Sequence, residues 1–258
     1  MKREPRRQRT IGEHLPLPIP EGRATVGDAV QILPEFPDLS VDLILCDPPY
    51  FVEYQSHRGA QVTGAIDNDG KADVHVLMPA LAPEFKRVVK PDGAVILFQA
   101  FGDGERSEIV GHVCRYLREA GFFVEHSYAW WKHAPGKNRL GMGRKKGPRN
   151  AVDQILVAVN APGEYVWNRG QNVANVLEFD RGTRRAGDHP TPKPVPLLEE
   201  LIDRYSDQGD LVLDPFCGGG STLKAAQKKK RRFCGVDLCE EWVAMSNKRL
   251  GVSEAKAA

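Results

Sequence analysis

Six short apolar runs punctuate the chain: VDLILCD (41–47), GAVILFQ (93–99), FFVEHSYAWW (122–131), DQILVAV (153–159), LVLD (211–214) and RFCGVDL (232–238). All six are strand candidates, and the near-continuous apolar character of Val41–Cys46 is the pattern of a strand buried on both faces. Between them, residues 103–120 carry Ile109, Val113, Tyr116 and Leu117 at helical spacing, and residues 195–207 carry Leu197, Leu198, Leu201 and Ile202 in the same way. Residues 74–90 also read as a helix, with Pro79 and Pro83 predicting a broken or late start. The alternation of strand, helix and strand from residue 24 onward predicts an α/β fold with a mostly parallel sheet covered by helices. Residues 132–188 include two irregular, polar stretches and read as an insert within a single domain spanning 24–250. Residues 1–23 then form a basic arm and 251–258 a tail.

Composition narrows this little. With 258 residues, 41% hydrophobic and 27% charged, the chain can bury a sizeable core. No apolar run approaches a membrane span and MKREPRRQRT lacks the apolar stretch of a signal peptide, so a cytoplasmic protein is expected. Cys46, Cys114, Cys217, Cys234 and Cys239 are irregularly spaced, with no CxxC pair and no zinc-like Cys/His cluster. Reduced thiols and no metal follow as expectations. The net charge of +2 conceals three basic clusters: the arm, GKNRLGMGRKKGPRN (136–150) and KKKRR (228–232). The middle cluster mixes glycine with Lys137, Arg139, Arg144, Lys145, Lys146 and Arg149, a composition suited to phosphate contacts, whereas KKKRR reads as solvated surface.

Chemistry concentrates at two strand ends. The run VDLILC stops at DPPY, placing Asp47 at the carboxyl edge of a buried strand, where open α/β sheets bind their ligands. In LVLDPFCGGGSTLKAAQ, Gly218, Gly219 and Gly220 allow close backbone approach, and Ser221 or Thr222 is expected to cap the next helix. The dinucleotide pattern G-x-G-x-x-G is absent because Leu223 occupies its last position, and no phosphate loop G-x-x-x-x-G-K-[ST] occurs. A ligand without pyrophosphate is favoured. Asp237 closes the following strand about 23 residues after Asp214, where a carboxylate can accept both hydroxyls of a ribose.

Together, DPPY (47–50), HPTPKPVPLLEELI (189–202), VLDPFCGGGST (212–222) and GVDL (235–238) resemble the amino-methyltransferases of DNA. The resemblance spans about residues 24–250 and implies a Rossmann-like S-adenosylmethionine-dependent methyltransferase fold. Because the catalytic tetrapeptide precedes the cofactor loop, the order resembles the circularly permuted beta group, with target recognition between the halves. The resemblance assigns catalysis to Asp47, Pro48, Pro49 and Tyr50. It places Asp214, Phe216, Gly218, Gly220, Ser221 and Asp237 around S-adenosylmethionine, with Thr191 and Lys193 toward its methionine carboxylate. Asp28 in VGDAV stands either for recognition of the cofactor's adenine amine or for a helix N-cap. Trp130, Trp131 and Lys132 belong either to the core or to the wall of a target pocket. His189 is read as a turn residue as readily as a contact.

The implied reaction is methylation of the exocyclic N6 amine of adenine in double-stranded DNA. Asp47 accepts one amine hydrogen, the Pro48 carbonyl faces the other, and Tyr50 stacks on the extruded base. An N4-cytosine enzyme is the close alternative, although its members more often begin the tetrapeptide with Ser. A cytosine-C5 enzyme would need a Pro-Cys dipeptide, which is absent. A non-catalytic DNA-binding protein on the same fold is the alternative of a different class. The resemblance also allows a homodimer, since many relatives dimerise, with no segment identifying the interface.

Overall fold

The computed structural model describes residues 16–49, 74–99, 105–132, 151–180 and 192–252. Tyr50, Thr191, His189 and all six basic residues singled out between 137 and 149 lie outside these. Eight described strands form one sheet: β1 (Ala24–Val26), β2 (Val41–Cys46), β3 (Val89–Gln99), β4 (Phe123–Trp131), β5 (Val152–Val159), β6 (Val176–Glu178), β7 (Leu211–Asp214) and β8 (Arg232–Asp237). Their spatial order is β1-β8-β7-β2-β3-β5-β4-β6. Only β5 runs against its neighbours, pairing antiparallel with both β3 and β4.

Helices cover both faces, which is why the central strands read as apolar throughout. On one face α2 (Val74–Val88) and α3 (Glu105–Glu119) bury Met78, Leu81, Phe85, Val113 and Leu117 against Ile44, Cys46, Val95 and Leu97. On the other, α4 (Val195–Tyr205), α5 (Ser221–Lys228) and α6 (Glu240–Leu250) bury Leu197, Leu201, Leu223, Ala226 and Val243 against Leu43, Leu45, Ile96 and Phe98. All four stripe residues expected of α4 are buried. In β2 every residue is buried, including Asp42. Its carboxylate accepts from Lys90 Nζ at 2.8 Å and from the Leu211 N–H at 2.9 Å, so the burial is compensated at the edge opposite the strand's carboxyl end.

Three expectations are corrected. Residues 74–88 form one helix with Pro79 and Pro83 inside it. The two missing N–H donors are outweighed because Met78, Leu81, Ala82, Phe85 and Val88 are all buried. The stretch 160–188 is not wholly irregular, since β6 pairs parallel with β4 through Ala129↔Val176 and Trp131↔Glu178. Only Leu177 of β6 is buried, so three residues carry no readable period. The third correction concerns Ser221 and is taken up with the site. KKKRR is the expected solvated surface only in part: Lys228 and Lys230 are exposed, whereas Lys229 Nζ pairs with Asp203 at 2.5 Å and Arg231 is buried, its Nε donating to Ser206 Oγ at 3.0 Å.

Among the described residues no helix is long and apolar enough to cross a membrane. No group of three or more His, Cys, Asp or Glu is arranged there to hold a metal.

Candidate active site

Strand order turns scattered acids into a row. Following β1, β8, β7, β2 and β3 across the sheet, the residues at or just past their carboxyl ends are Asp28, Asp237, Asp214, Asp47 and Gln99. The first four are acids that the sequence marks out. The central neighbours β7 and β2 are far apart in the chain, and the connections leave them in opposite directions, β7 to β8 and β2 to β3. Such a reversal opens a crevice above the carboxyl ends of the strands.

Next to β2, DPPY leaves Asp47 about a quarter exposed and Pro48 buried. Asp47 Oδ2 is ion-paired with Lys193, whose side chain is 9% exposed and whose Nζ lies 5.1 Å from the centre of the Phe98 ring. Lys193 comes from the segment leading into α4, so two distant stretches of sequence meet here. Asp47 Oδ1 is buried and has no hydrogen-bond partner. Lys193 was expected at a cofactor carboxylate; in the structure it holds the tetrapeptide's acid.

Beside it, Asp214 ends β7 with 2% exposure. Its Oδ1 accepts from the Phe216 N–H at 3.0 Å and its carboxylate is bonded by Thr222. Burial, reinforced by the charges of Asp47 and Asp237, pushes this acid from 3.8 up to about 7 despite those bonds. A carboxyl whose native pKa is raised binds a proton over a range where the unfolded chain has lost it. Its stabilising contribution is therefore complete below about pH 4 and lost as pH rises through about 7. Asp214→Asn, which keeps an acceptor for the Phe216 N–H, is expected to flatten the decline in thermal midpoint between pH 5 and 8. The change corresponds to up to about 4 kcal/mol at the alkaline end. Parallel curves for the two proteins would show that Asp214 does not titrate there.

The loop after β7 turns on Gly218 (φ 45°) and Gly220 (φ 76°). A Cβ on Gly220 would lie 2.1 Å from Ser246 Oγ on α6, so loop and helix touch backbone to side chain. Here stands the third correction: the N-cap of α5 is Gly220, with no side-chain capping bond, and Ser221 accepts instead from Arg249 Nη1 at 2.9 Å. Thr222 turns toward Asp214. Phe216 packs against the core of the α2/α3 face. Asp237 ties the loop to β8, its Oδ2 accepting from the Gly218 N–H at 2.8 Å and its Oδ1 from the Cys239 N–H at 3.0 Å. Each oxygen keeps a second lone pair for a ligand hydroxyl. Burial raises the Asp237 carboxyl above its ordinary value, more than those two bonds lower it.

At the sheet margin, Asp28 is the N-cap of α1 (Ala29–Ile32), its Oδ1 accepting from the Val30 N–H at 2.9 Å. Gly27 N–H donates to the Asp237 carbonyl at 3.0 Å, which sets Asp28 beside the end of β8. The capping role is therefore present, and Asp28 still borders the crevice. On the other flank Trp130 is core, 2% exposed with Nε1 donating to the Phe179 carbonyl at 2.8 Å, whereas Trp131 is 37% exposed. Lys132 is buried in an ion pair with Asp153. All five cysteines are free. Burial raises Cys46, directly before Asp47, and Cys217, in the glycine loop, well above the ordinary thiol value, so neither is a ready nucleophile.

Two positively twisted glycines, a ribose-ready carboxylate and an unpartnered buried oxygen on Asp47 fit an adenosyl ligand whose reactive end lies near β2. Sequence reasoning missed Gln99, whose Nε2 is buried with no hydrogen-bond partner. The signal was a lone amide ending the apolar run GAVILF. It also missed Ser246, which no local pattern marks.

A family profile described as DNA methylase matches residues 160–248. The chain is 27% identical over 263 residues to DNA adenine methyltransferase YhdJ of Escherichia coli (strain K12), covering 88% of this chain and 82% of that one. In three dimensions it resembles the M1.HpyAVI–SAM complex with a TM-score of 0.66 at 23% identity, over 88% of this chain and 98% of the other. The cytosine-N4-specific PvuII DNA methyltransferase superposes with a TM-score of 0.67 at 21% identity, over 91% and 87% of the two chains.

Proposed function

Because the chain belongs to the DNA amino-methyltransferase family and is an S-adenosylmethionine-dependent DNA methyltransferase, we propose that its target is the N6 amine of adenine in duplex DNA, extruded for reaction. The observation that carries this reading is Asp47: one oxygen is held by Lys193 and the other is buried without a partner at the carboxyl end of β2. An amine attached to an aromatic ring is a weak nucleophile because its lone pair is delocalised. Asp47 Oδ1 accepts one amine hydrogen and the Pro48 carbonyl the other, which draws the lone pair out of the ring. Lys193 fixes the carboxylate so that Oδ1 need not reorganise. Tyr50 supplies a stacking face for the extruded base. When bound, S-adenosylmethionine supplies a methyl group activated by its sulfonium. Asp237 would hold its ribose, Asp28 would meet its adenine amine, and the backbone of Gly218–Gly220 with Asp214 and Phe216 would take its methionine portion; Thr191, outside the described residues, keeps the role that the resemblance gives it.

N4-cytosine transfer is the second reading, because the same fold carries that chemistry in the PvuII enzyme and both amines pose the same chemical problem. Incubating the protein with DNA and the cofactor, then analysing nucleosides by mass spectrometry, separates the two. N6-methyladenine is expected; N4-methylcytosine alone would replace the first reading, and neither product would remove both.

Asp237→Ala is expected to weaken S-adenosylmethionine binding by about 1.5–3 kcal/mol, roughly ten- to a hundredfold, by calorimetric titration. Asp237→Asn, which retains acceptors for the Gly218 and Cys239 N–H groups, separates ribose recognition from loop support. Unchanged affinity in both variants removes Asp237 from the site. For the basic residues 137–149, neutralising Arg144, Lys145 and Lys146 together is expected to weaken binding to target and scrambled duplexes alike. The slope of log affinity against log salt should flatten by up to about 0.9 for each phosphate no longer neutralised. A weakening confined to the target duplex would mean that this stretch reads bases.

A further inference from the structure

Two ion pairs, each with a buried ammonium, stand at the edge of the sheet that carries the crevice, and only one of them involves the tetrapeptide. Lys193 with Asp47 is the first; Lys132 with Asp153 is the second, and both of its members are buried. Because β3 and β4 each pair antiparallel with the β5 between them, they run the same way. Lys132, just past β4, and Asp153, at the start of β5, therefore lie at the same edge as Asp47. Taking an ammonium and a carboxylate out of water is costly, and apolar residues of similar volume commonly serve stability as well or better. The second pair calls for a reason beyond stability.

The contacts supply one. Trp130 and Lys132 alternate onto the face of β4 that lies under α4, and Lys132 Nζ stands 5.2 Å from the centre of the Trp130 ring. That ring meets Phe98 across β5, edge to face, with centres 6.3 Å apart and planes at 87°. Phe98 in turn carries Lys193 Nζ at 5.1 Å. The indole is pinned as well, its Nε1 donating to the Phe179 carbonyl at 2.8 Å. Acid, cation, ring, ring, cation and acid form one column of contacts from Asp153 to Asp47. In a close-packed core the two rings do not shift independently, and each fixes the approach of an ammonium to its carboxylate. Resting on the reading of Asp47 given above, we propose that Phe98, Trp130 and the Lys132–Asp153 pair are positioning residues for Asp47: they hold the Lys193 ammonium, and through it the carboxylate, where Oδ1 meets the target amine. Their effect falls on the rate of transfer, which is sensitive to small displacements of the reacting groups, and not on binding. Lys132 and Asp153 also bracket residues 133–150 in sequence, so the competing account is that the pair only closes the foot of that stretch. The Lys132 N–H already does so, donating to the Ala151 carbonyl at 2.9 Å.

The test replaces the second pair by apolar side chains, Lys132→Met with Asp153→Leu, in the full chain, and reads kcat, cofactor affinity, duplex affinity and thermal midpoint on the duplex defined by mapping methylated DNA. Neither member of the pair is left without its partner and the backbone ladder is untouched, so the midpoint should hold or rise. By contrast kcat should fall about five- to fiftyfold, with both affinities within about twofold of wild type. Phe98→Leu, which removes the ring against Lys193, should lower kcat at least as far. Each change is then repeated together with Lys193→Met, which keeps the Asp47 carboxylate. Since the column acts through Lys193, neither change should lower kcat further in that background, whereas a general disturbance of the core would multiply the losses. Unchanged kcat in the pair variant, or undiminished losses beside Lys193→Met, would overturn the proposal. A loss confined to duplex affinity would also overturn it and leave the pair as the foot of the basic stretch. Should Phe98→Leu fail to fold, the pair variant decides alone. Failure of wild type to methylate any natural duplex would instead overturn the functional reading beneath it.

Discussion

Asp47→Ala is expected to lower methyl transfer by about two to three orders of magnitude or more while leaving S-adenosylmethionine affinity within a few-fold of wild type. The first half follows from removing an acceptor aimed at the hydrogen that the amine must release. The second follows from the sheet order, since the cofactor contacts proposed for Asp214 and Asp237 lie at the ends of β7 and β8, on the other side of the switch in chain direction. The variant also deprives Lys193, 9% exposed, of this carboxylate. Taking this carboxylate from a largely buried ammonium should cost about 1–3 kcal/mol of stability, less than breaking a fully buried pair because Asp47 itself is partly solvated. A double variant, Asp47→Ala with Lys193→Met, separates the two consequences: stability should recover and activity should not. Asp47→Asn keeps a carbonyl acceptor and should retain more activity than Asp47→Ala. Recovery of methylation in the double variant would show that Asp47 serves packing rather than the amine. Loss of cofactor binding in Asp47→Ala would place Asp47 in the cofactor site.

The largest effect on stability is expected at Gly220. Its φ of 76° is strained for any residue with a Cβ, and an added Cβ would meet Ser246 Oγ at 2.1 Å and Ser246 Cβ at 2.8 Å. The left-handed conformation costs about 1–2 kcal/mol and the overlap about 1–3 kcal/mol, so Gly220→Ala should destabilise by about 2–5 kcal/mol. In a domain of this size that corresponds to a fall in thermal midpoint of roughly 4–20 °C. Cofactor affinity should fall with it, because the Gly220 N–H bonds the Cys217 carbonyl and the loop shares its backbone with the Gly218 anchor to Asp237. Gly219, which lies outside the positive-φ region, provides the contrast: Gly219→Ser should be close to neutral. Equal damage at both positions would mean that the loop tolerates no side chain at all. A neutral Gly220→Ala would mean that α6 moves freely away from the loop.

Much of this arrangement is legible in the residues alone. The strand ends at Asp47, Asp214 and Asp237 are readable because each closes a short, predominantly apolar run, and a chain cannot bury such runs without placing the polar residue that follows at an edge. The two glycines are readable because a strand-to-helix turn that must bring its backbone near a ligand excludes Cβ atoms. The stripe of Leu197, Leu198, Leu201 and Ile202 likewise requires a helix face packed on the sheet. Such features are local: the period, the punctuation and the residue type lie within a dozen neighbours.

What only the tertiary structure decided depends on strands distant in sequence lying side by side. Sheet order, not sequence order, makes Asp28, Asp237, Asp214, Asp47 and Gln99 neighbours in one row. The partnership of Lys193 with Asp47 spans both halves of the chain, and nothing near either residue specifies it. Pro79 and Pro83 argue locally against a continuous helix, yet the buried face of α2 outweighs two missing hydrogen bonds. The three residues of β6 are a strand because β4 offers them an edge, and Ser246 matters because α6 crosses the glycine loop. Hydrophobic period and turn chemistry act over one element at a time, whereas pairing, burial and the pKa of Asp214 are set by what the rest of the chain brings alongside.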